Sequence, residues 1–478
     1  MSRRRFLQTS GGMAVMLSTL NACSSAGNLS SPTTAAPTSA TSGPTSTSRS
    51  TTTQQATTTS EPGGTFNVPD EPEDLAECES ILGDQGEFIF DVHTHHVMPD
   101  GAWRQNAPRI ESMINNLVPS ACAASDRLEC LDRISYVHDM FLASDTTVAL
   151  LSDVPNSGDD DAPVPFDAKL GTQEFAASLT AGGEPRVLVQ DVIAPNFGDL
   201  GARLELMEAT HSSGRVASFK VYTAWGPGQQ GFALDDPAIG VPVVEQARAL
   251  GVNIIAAHKG LPLLEFDRRF NGPRDIVAMA SRYPDMRFIV YHSAFERDVY
   301  EGAHDPGADT GIDSLIAAMD EFGVEPNANL FAELGTTWRE TMRDPTQAAH
   351  AIGKLVTRVG DRNLLWGTDG IWLGSPQAQI QAFRSFEITP QYQEQFGYPE
   401  LTDQLKRQVF GLNAAALFGL DPDATRCAVA EEELSAARVE AKSIAFEGDQ
   451  LPFAARGPAT RREVLRWIAQ ADQPLTPF

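Results

Sequence analysis

Two kinds of apolar pattern alternate along most of the chain. Short runs rich in Val, Ile, Leu, Phe and Ala lie at 88–92, 147–151, 186–193, 217–222, 252–257, 287–291, 330–333 and 363–366. Between them, apolar residues recur at three- and four-residue spacing over 127–141, 167–179, 200–211, 237–250, 276–283, 313–322 and 345–359. The first pattern predicts buried strands and the second predicts helices with one apolar face. Parallel strands need crossover helices between them, so the alternation predicts β/α units. Eight such strands close a ring, which predicts an α/β fold, a (β/α)8 TIM barrel, over 85–420. An open doubly wound sheet would want a glycine-rich turn after its first strand. Histidines stand there instead.

The two ends of the chain read differently. Residues 24–64 are almost all Ser, Thr, Pro, Ala and Gly, and an acidic segment follows at 70–79. Such composition cannot bury a core, so 24–80 is expected to be a disordered tether. Ahead of it, Ser2-Arg3-Arg4-Arg5-Phe6-Leu7-Gln8 resembles the bacterial twin-arginine export signal. An apolar stretch at 13–20 is too short to span a bilayer, and Leu20-Asn21-Ala22-Cys23 resembles a lipobox, in which the cysteine is lipidated. Residues 1–23 are therefore expected to be a signal peptide. Cys23 would carry lipid and anchor the protein outside the cytoplasm on a bacterial cell membrane. Beyond the eighth strand, a helical stretch at 402–420 is expected to pack on the barrel. Residues 421–478 form a C-terminal extension with helical patches at 430–441 and 460–471.

Charge narrows the partners. The formal net charge is −27, which repels phosphate backbones and argues against nucleic acid as a ligand. The expected partners are a small-molecule substrate and, through lipid, a membrane; a homo-oligomer stays open. With Cys23 lipidated, Cys78, Cys122, Cys130 and Cys427 allow three pairings, and spacing does not choose among them.

The chemistry gathers at strand ends. In Phe88-Ile89-Phe90-Asp91-Val92-His93-Thr94-His95-His96, residues two apart share a face, so His93 and His95 can both aim at one ion. Asp91 shares that phase one step deeper and can orient a ligand from behind. His96 has the opposite phase and reads as a hydrogen-bonding neighbour. His258 ends the fifth strand in Ala257-His258-Lys259-Gly260, and His292 ends the sixth in Tyr291-His292-Ser293. Asp369 follows the eighth in Trp366-Gly367-Thr368-Asp369. Active sites of such barrels lie at the C-terminal strand ends, so these side chains meet if the ring closes. His138, His211, His304 and His350 fall in helical or loop segments and are expected to have no catalytic role.

Together with Ala332-Glu333-Leu334-Gly335 and Gly411-Leu412-Asn413-Ala414-Ala415, these pieces resemble the metal-dependent amidohydrolase superfamily. The likeness is to the amidohydrolase-related branch that includes the aminocarboxymuconate-semialdehyde decarboxylase type. The resemblance implies that His93, His95, His258 and Asp369 bind one divalent metal. It makes His292 the catalytic histidine, with Asp369 also catalytic. Three imidazoles and a carboxylate suit Zn²⁺ with an open position for water. Lys220, on the fourth strand, is a candidate for substrate contact or for a second metal, with one metal the preferred reading. Glu333 and Asp91 are candidates to support the ligands from behind. Trp103, Arg104 and Trp225 follow barrel strands and are candidates for the pocket wall.

The expected activity is hydrolysis of an amide, ester or lactone by metal-activated water. The alternatives are decarboxylation of a small aromatic or unsaturated acid, or a lipoprotein that binds metal or ligand without turnover. Decarboxylation would want a cation to anchor a carboxylate, for which Lys220, Lys259 and Arg104 are the candidates.

Overall fold

The computed structural model describes residues 61–67, 86–119, 122, 124–179, 185–263 and 266–430. The signal segment with Cys23, Cys78, most of the expected tether and the 431–478 part of the C-terminal extension lie outside these residues.

The described residues form ten strands: β1 (Gly64–Phe66), β2 (Phe90–Thr94), β3 (Val148–Leu151), β4 (Val187–Ile193), β5 (Val216–Val221), β6 (Ile254–His258), β7 (Arg287–Tyr291), β8 (Leu330–Glu333), β9 (Leu364–Leu365) and β10 (Phe386–Ile388). β2 to β9 form one parallel sheet in sequential order. Its two ends meet: the Val92 amide donates to Trp366 O at 3.0 Å and the His95 amide to Gly370 O at 2.5 Å. The molecule is the eight-stranded barrel that the apolar runs predict. β9 is short because the Trp366 amide turns away to bond Val409 O.

Six of the predicted helices form close to their expected bounds: Phe166–Ser178, Leu200–His211, Gly240–Ala249, Arg274–Arg282, Gly311–Phe322 and Pro345–Arg358. The caps explain several ends. Asp344 accepts from the Thr346 and Gln347 amides, with Pro345 in the first turn, where a missing N–H costs nothing. The seventh stretch, 127–141, is not one helix. Asp132 caps a new start by accepting from the Ser135 amide, so a 3-10 turn gives way to an α-helix and then a π-turn.

Side chains alternate between two layers. Phe288, Val290, Leu330, Ala332 and Leu364 pack under the helices with Ile276, Leu315 and Ile352. Their neighbours Ile289, Tyr291, Phe331 and Leu365 join Ala256 in a second cluster. Helix Asn413–Phe418 packs on that cluster, as expected, with Phe418 5.3 Å from the Phe90 ring.

One boundary differs from expectation. The tether expected to run to residue 80 is interrupted at β1, which pairs antiparallel with β10. Phe66 is buried against Phe386, with ring centroids 5.5 Å apart. A Cβ at Gly64 would strike the Phe386 ring and the Pro345 carbonyl. The small residue that makes the segment look like linker is what lets it lie close. Cys122 and Cys130 form a disulfide, one of the pairings left open. Among the described residues no helix is long and apolar enough to cross a membrane.

Arg384 pins the chain before β2 to the helix before β10. Its guanidinium is buried, 2.7 Å from Glu87 Oε2 and 2.7 Å from Asp145 Oδ2. Removing it takes the countercharge from two buried carboxylates, of which Asp145 keeps the Gln377 amide at 2.8 Å, a loss of about 3–5 kcal/mol. Arg384→Ala should lower stability in urea unfolding by that amount; a loss below about 1 kcal/mol would mean that water reaches the pair.

Candidate metal centre

The C-terminal ends of β2, β6, β7, β8 and β9 open into one cavity. His93, His95, His258, His292 and Asp369 all line it, and all four histidines are buried. His93 and His95 project from one face of β2, as their spacing predicts. Their Nε2 atoms lie 3.5 Å and 3.3 Å from Asp369 Oδ1. These three side chains form one of two compact groups of candidate ligands among the described residues; the other is His93, His292 and Glu333. His258 belongs to neither. It reaches the cluster through His292, with ring centroids 4.5 Å apart.

The backbone is bent to bring these groups in. His292, Ser293 and Ala294 all have positive φ, as do Thr336 and Asp369. Each such non-glycine residue costs about 1–3 kcal/mol unless its surroundings hold it. Here they do. The His292 amide donates to Glu333 Oε2, Ser293 Oγ to Glu333 O, and Thr337 Oγ1 to His292 O. Asp369 receives Thr336 Oγ1 on one oxygen at 2.7 Å and Trp372 Nε1 on the other at 3.2 Å.

The two carboxylates expected behind the ligands are in place. Glu333 Oε2 lies 3.2 Å from His93 Nδ1, and Gly335 N donates to its other oxygen. Burial pushes Glu333 up to about 8, against two backbone N–H groups that lower it. A Cβ on Gly335 or Gly367 would sit on this pair, which accounts for both glycines of the motifs. Asp91 acts on backbone rather than on a ring. It accepts from the His93 amide at 3.1 Å, the Thr368 amide at 3.1 Å and Thr368 Oγ1 at 2.5 Å.

Hydrogen-bond partners fix two tautomers. His292 Nδ1 is 2.7 Å from Gly335 O, and His258 Nε2 is 3.0 Å from Leu261 O. Carbonyls only accept, so these two nitrogens carry the protons. Burial lowers both rings, His292 to about 4 and His258 well below its usual value, so both are neutral at pH 7. His292 Nε2 and His258 Nδ1 therefore face each other 3.2 Å apart as two lone pairs. Neutral rings cannot hydrogen-bond this way. His95 Nδ1 is buried without a partner. Asp369 is ionised: burial would raise it, but the His93 and His95 rings, 3.5 Å and 3.3 Å away, outweigh burial and hold it well below the carboxylate range. Neutral imidazoles with opposed lone pairs and an ionised carboxylate fit a divalent cation.

Other candidates fall elsewhere. Lys220 is buried beside the cluster, Nζ 3.3 Å from His93 Nε2 and over the faces of Tyr222 and Tyr291, and is not among the residues lining the cavity. Burial pushes its ammonium down to about 7, against Asp369, Glu333 and Asp153. Lys259 turns away to Asp275 at 2.6 Å, and Arg104 pairs with Glu111 and Asp126. Neither lines the cavity, and nor do Trp103 and Trp225. His96 bonds Val97 O and Thr172 Oγ1 outside the cavity. The lining also includes residues that the sequence does not single out: Thr336, Trp372, Tyr222, Arg297 and Arg339. All lie in loops or a short helix beyond the strands, Tyr222 directly after β5, where no periodic pattern marks them.

A family model described as amidohydrolase matches residues 158–420, more than half of the chain. The chain belongs to the amidohydrolase family. Members of the amidohydrolase superfamily are metal-dependent enzymes that include hydrolases and decarboxylases. The match begins after β2 and does not include His93 and His95. Solved structures with low sequence identity are similar to the chain. One is an uncharacterized TIM-barrel protein from Bordetella bronchiseptica, at 10% identity and TM-score 0.45, covering 71% of this chain and 99% of that one. Another is 2,6-dihydroxybenzoate decarboxylase from Rhizobium, at 14% identity and TM-score 0.41, covering 70% and 99%. No curated protein matches the chain.

The tautomer assignment is testable. In metal-free protein, ¹⁵N-histidine spectra should show His292 neutral, with its proton on Nδ1, at pH 6, where a free imidazole is mostly charged. Its folded value lies below its unfolded one, so this group costs the fold stability as pH falls from 6.5 towards about 4. A charged His292 at pH 6 would contradict the assignment.

Proposed function

We propose that this amidohydrolase hydrolyses a small ester, lactone or amide by attack of water on the carbonyl carbon. His93, His95, His258 and Asp369 hold one divalent cation, and the donor set favours Zn²⁺. A cation so held supplies Lewis acidity and lowers the pKa of water to around 7. The observation that carries this reading is the 3.3–3.5 Å approach of both β2 imidazoles to one Asp369 oxygen. The opposed lone pairs of His258 and His292 support it.

The chain's own groups then have distinct tasks. His292 keeps its Nδ1 proton on Gly335 O and offers only a lone pair at Nε2. It therefore receives a hydrogen bond from the attacking water rather than polarising the substrate carbonyl. Asp369 takes the water's proton and passes it to the leaving oxygen or nitrogen as the carbon–heteroatom bond breaks. Thr336 and Trp372 each hold one Asp369 oxygen and fix its direction. Glu333 fixes the His93 ring through Nδ1, a support whose loss typically costs 10–100-fold in metal affinity. Lys220 serves electrostatically beside His93 and bridges no second metal.

Two arginines on the cavity wall keep decarboxylation in play as a second reading, since that reaction needs a carboxylate substrate. We also propose export by the twin-arginine route and anchoring through lipid on Cys23, which the order of arginines, apolar stretch and lipobox supports.

Asp369→Ala should abolish turnover and weaken zinc binding. His292→Ala should keep the metal and lose about 10²–10⁴-fold in rate. Both are read on a panel of esters, lactones, amides and aromatic acids, with metal content measured alongside. Unchanged turnover in Asp369→Ala, or metal lost in step with activity in His292→Ala, would overturn these roles. Release of CO₂ without consumption of water would select decarboxylation.

A further inference from the structure

The chain carries 63 acidic against 36 basic residues, yet two arginines stand on the wall of the same cavity as the histidines. Arg297 lies five residues beyond His292. Arg339 lies on the short helix Thr337–Thr341, three residues beyond the Thr336 that bonds Asp369. Both reach one carboxylate oxygen, Glu340 Oε1, at 3.4 Å and 3.2 Å. The other oxygen, Oε2, is taken by Arg343 at 2.7 Å. Among the described residues, Glu340 is the one acidic group within ion-pair distance of Arg297 and Arg339, and Arg297 Nε is buried with no hydrogen-bond partner.

Two guanidiniums thus share one carboxylate oxygen at loose distances. Positive charge is left over inside a cleft of a strongly acidic protein. A guanidinium presents donors in a planar fork that fits a carboxylate, and a buried donor without a partner costs free energy until something accepts from it. The rest of the wall is largely apolar, with Met113, Leu117, Val154, Leu261 and Trp372 among its side chains. We infer that Arg297 and Arg339 form an anion subsite that binds the carboxylate of an otherwise apolar or aromatic substrate, beside the His93–His95–Asp369 group. The substrate class is then a small carboxylic acid that also carries the reacting bond. Of the candidates that the sequence offered for this task, Lys259 and Arg104 are spent in ion pairs elsewhere and Lys220 does not line the cavity.

This inference rests on reading the cavity as catalytic, and binding measurements separate the two. Benzoate and benzamide share shape and differ in charge. Calorimetry on the full zinc-loaded chain should find benzoate bound about tenfold more tightly. The double variant Arg297→Gln/Arg339→Gln should lose that preference while zinc content and unfolding midpoint hold. The pair Arg297→Lys/Arg339→Lys should keep it, which a merely structural role would not predict. Equal affinity for the two probes in the unaltered protein, or a benzoate preference that survives the glutamine pair, overturns the subsite; the latter would put the anion on the zinc. Hydrolysis of uncharged esters without a benzoate preference sinks the subsite and leaves the hydrolase standing. A preference lost in the glutamine pair, in a protein that hydrolyses nothing, supports the subsite and sinks the hydrolase.

Discussion

The site depends on two buried carboxylates that hold distant strand ends in register. Asp91 accepts from the backbone of His93 and from Thr368, so it locks the first barrel strand to the turn that carries Asp369. Glu333 accepts from the His292 amide and faces His93 Nδ1, so it locks the first strand's ring to the end of the sixth. Neither carboxylate lines the cavity. Their cost is burial, which pushes Asp91 up to about 7 and Glu333 up to about 8. That cost is tolerated because each oxygen has a donor.

The same arrangement explains where strain is kept. Left-handed backbone at His292–Ala294, Thr336 and Asp369 occurs where three strands end. Hydrogen bonds from neighbouring strand ends hold every one of these turns. A rigid ring of strands carries the load, and the reactive groups sit on its rim in conformations that an isolated loop would abandon. Trp372, stacked 5.1 Å from His95, adds an apolar wall that raises the strength of every charge interaction nearby.

Much of this was legible from residue order. Strand runs and helix periodicity locate eight barrel strands because both faces of each strand are buried, which leaves an apolar signature. His93, His95, His258, His292 and Asp369 were legible because strand ends converge once a ring is assumed. Arg297 and Arg339 were not, since loop residues carry no period and gather only after closure. The pairing of β1 with β10 spans more than 300 residues and rests on the Phe66–Phe386 contact and the close approach that Gly64 permits. The roles of Asp91 and Glu333 were legible only as supports; which atom each holds depends on turns at Gly335 and Gly367 whose geometry no spacing encodes.

The central claim is that one cation sits among His93, His95, His258 and Asp369. Anomalous X-ray scattering from crystals of the zinc-loaded protein tests it most directly. The account predicts a single peak per chain within bonding distance, about 2.0–2.2 Å, of the His93, His95, His258 and Asp369 donors. A peak elsewhere, or none with zinc in excess, would contradict it.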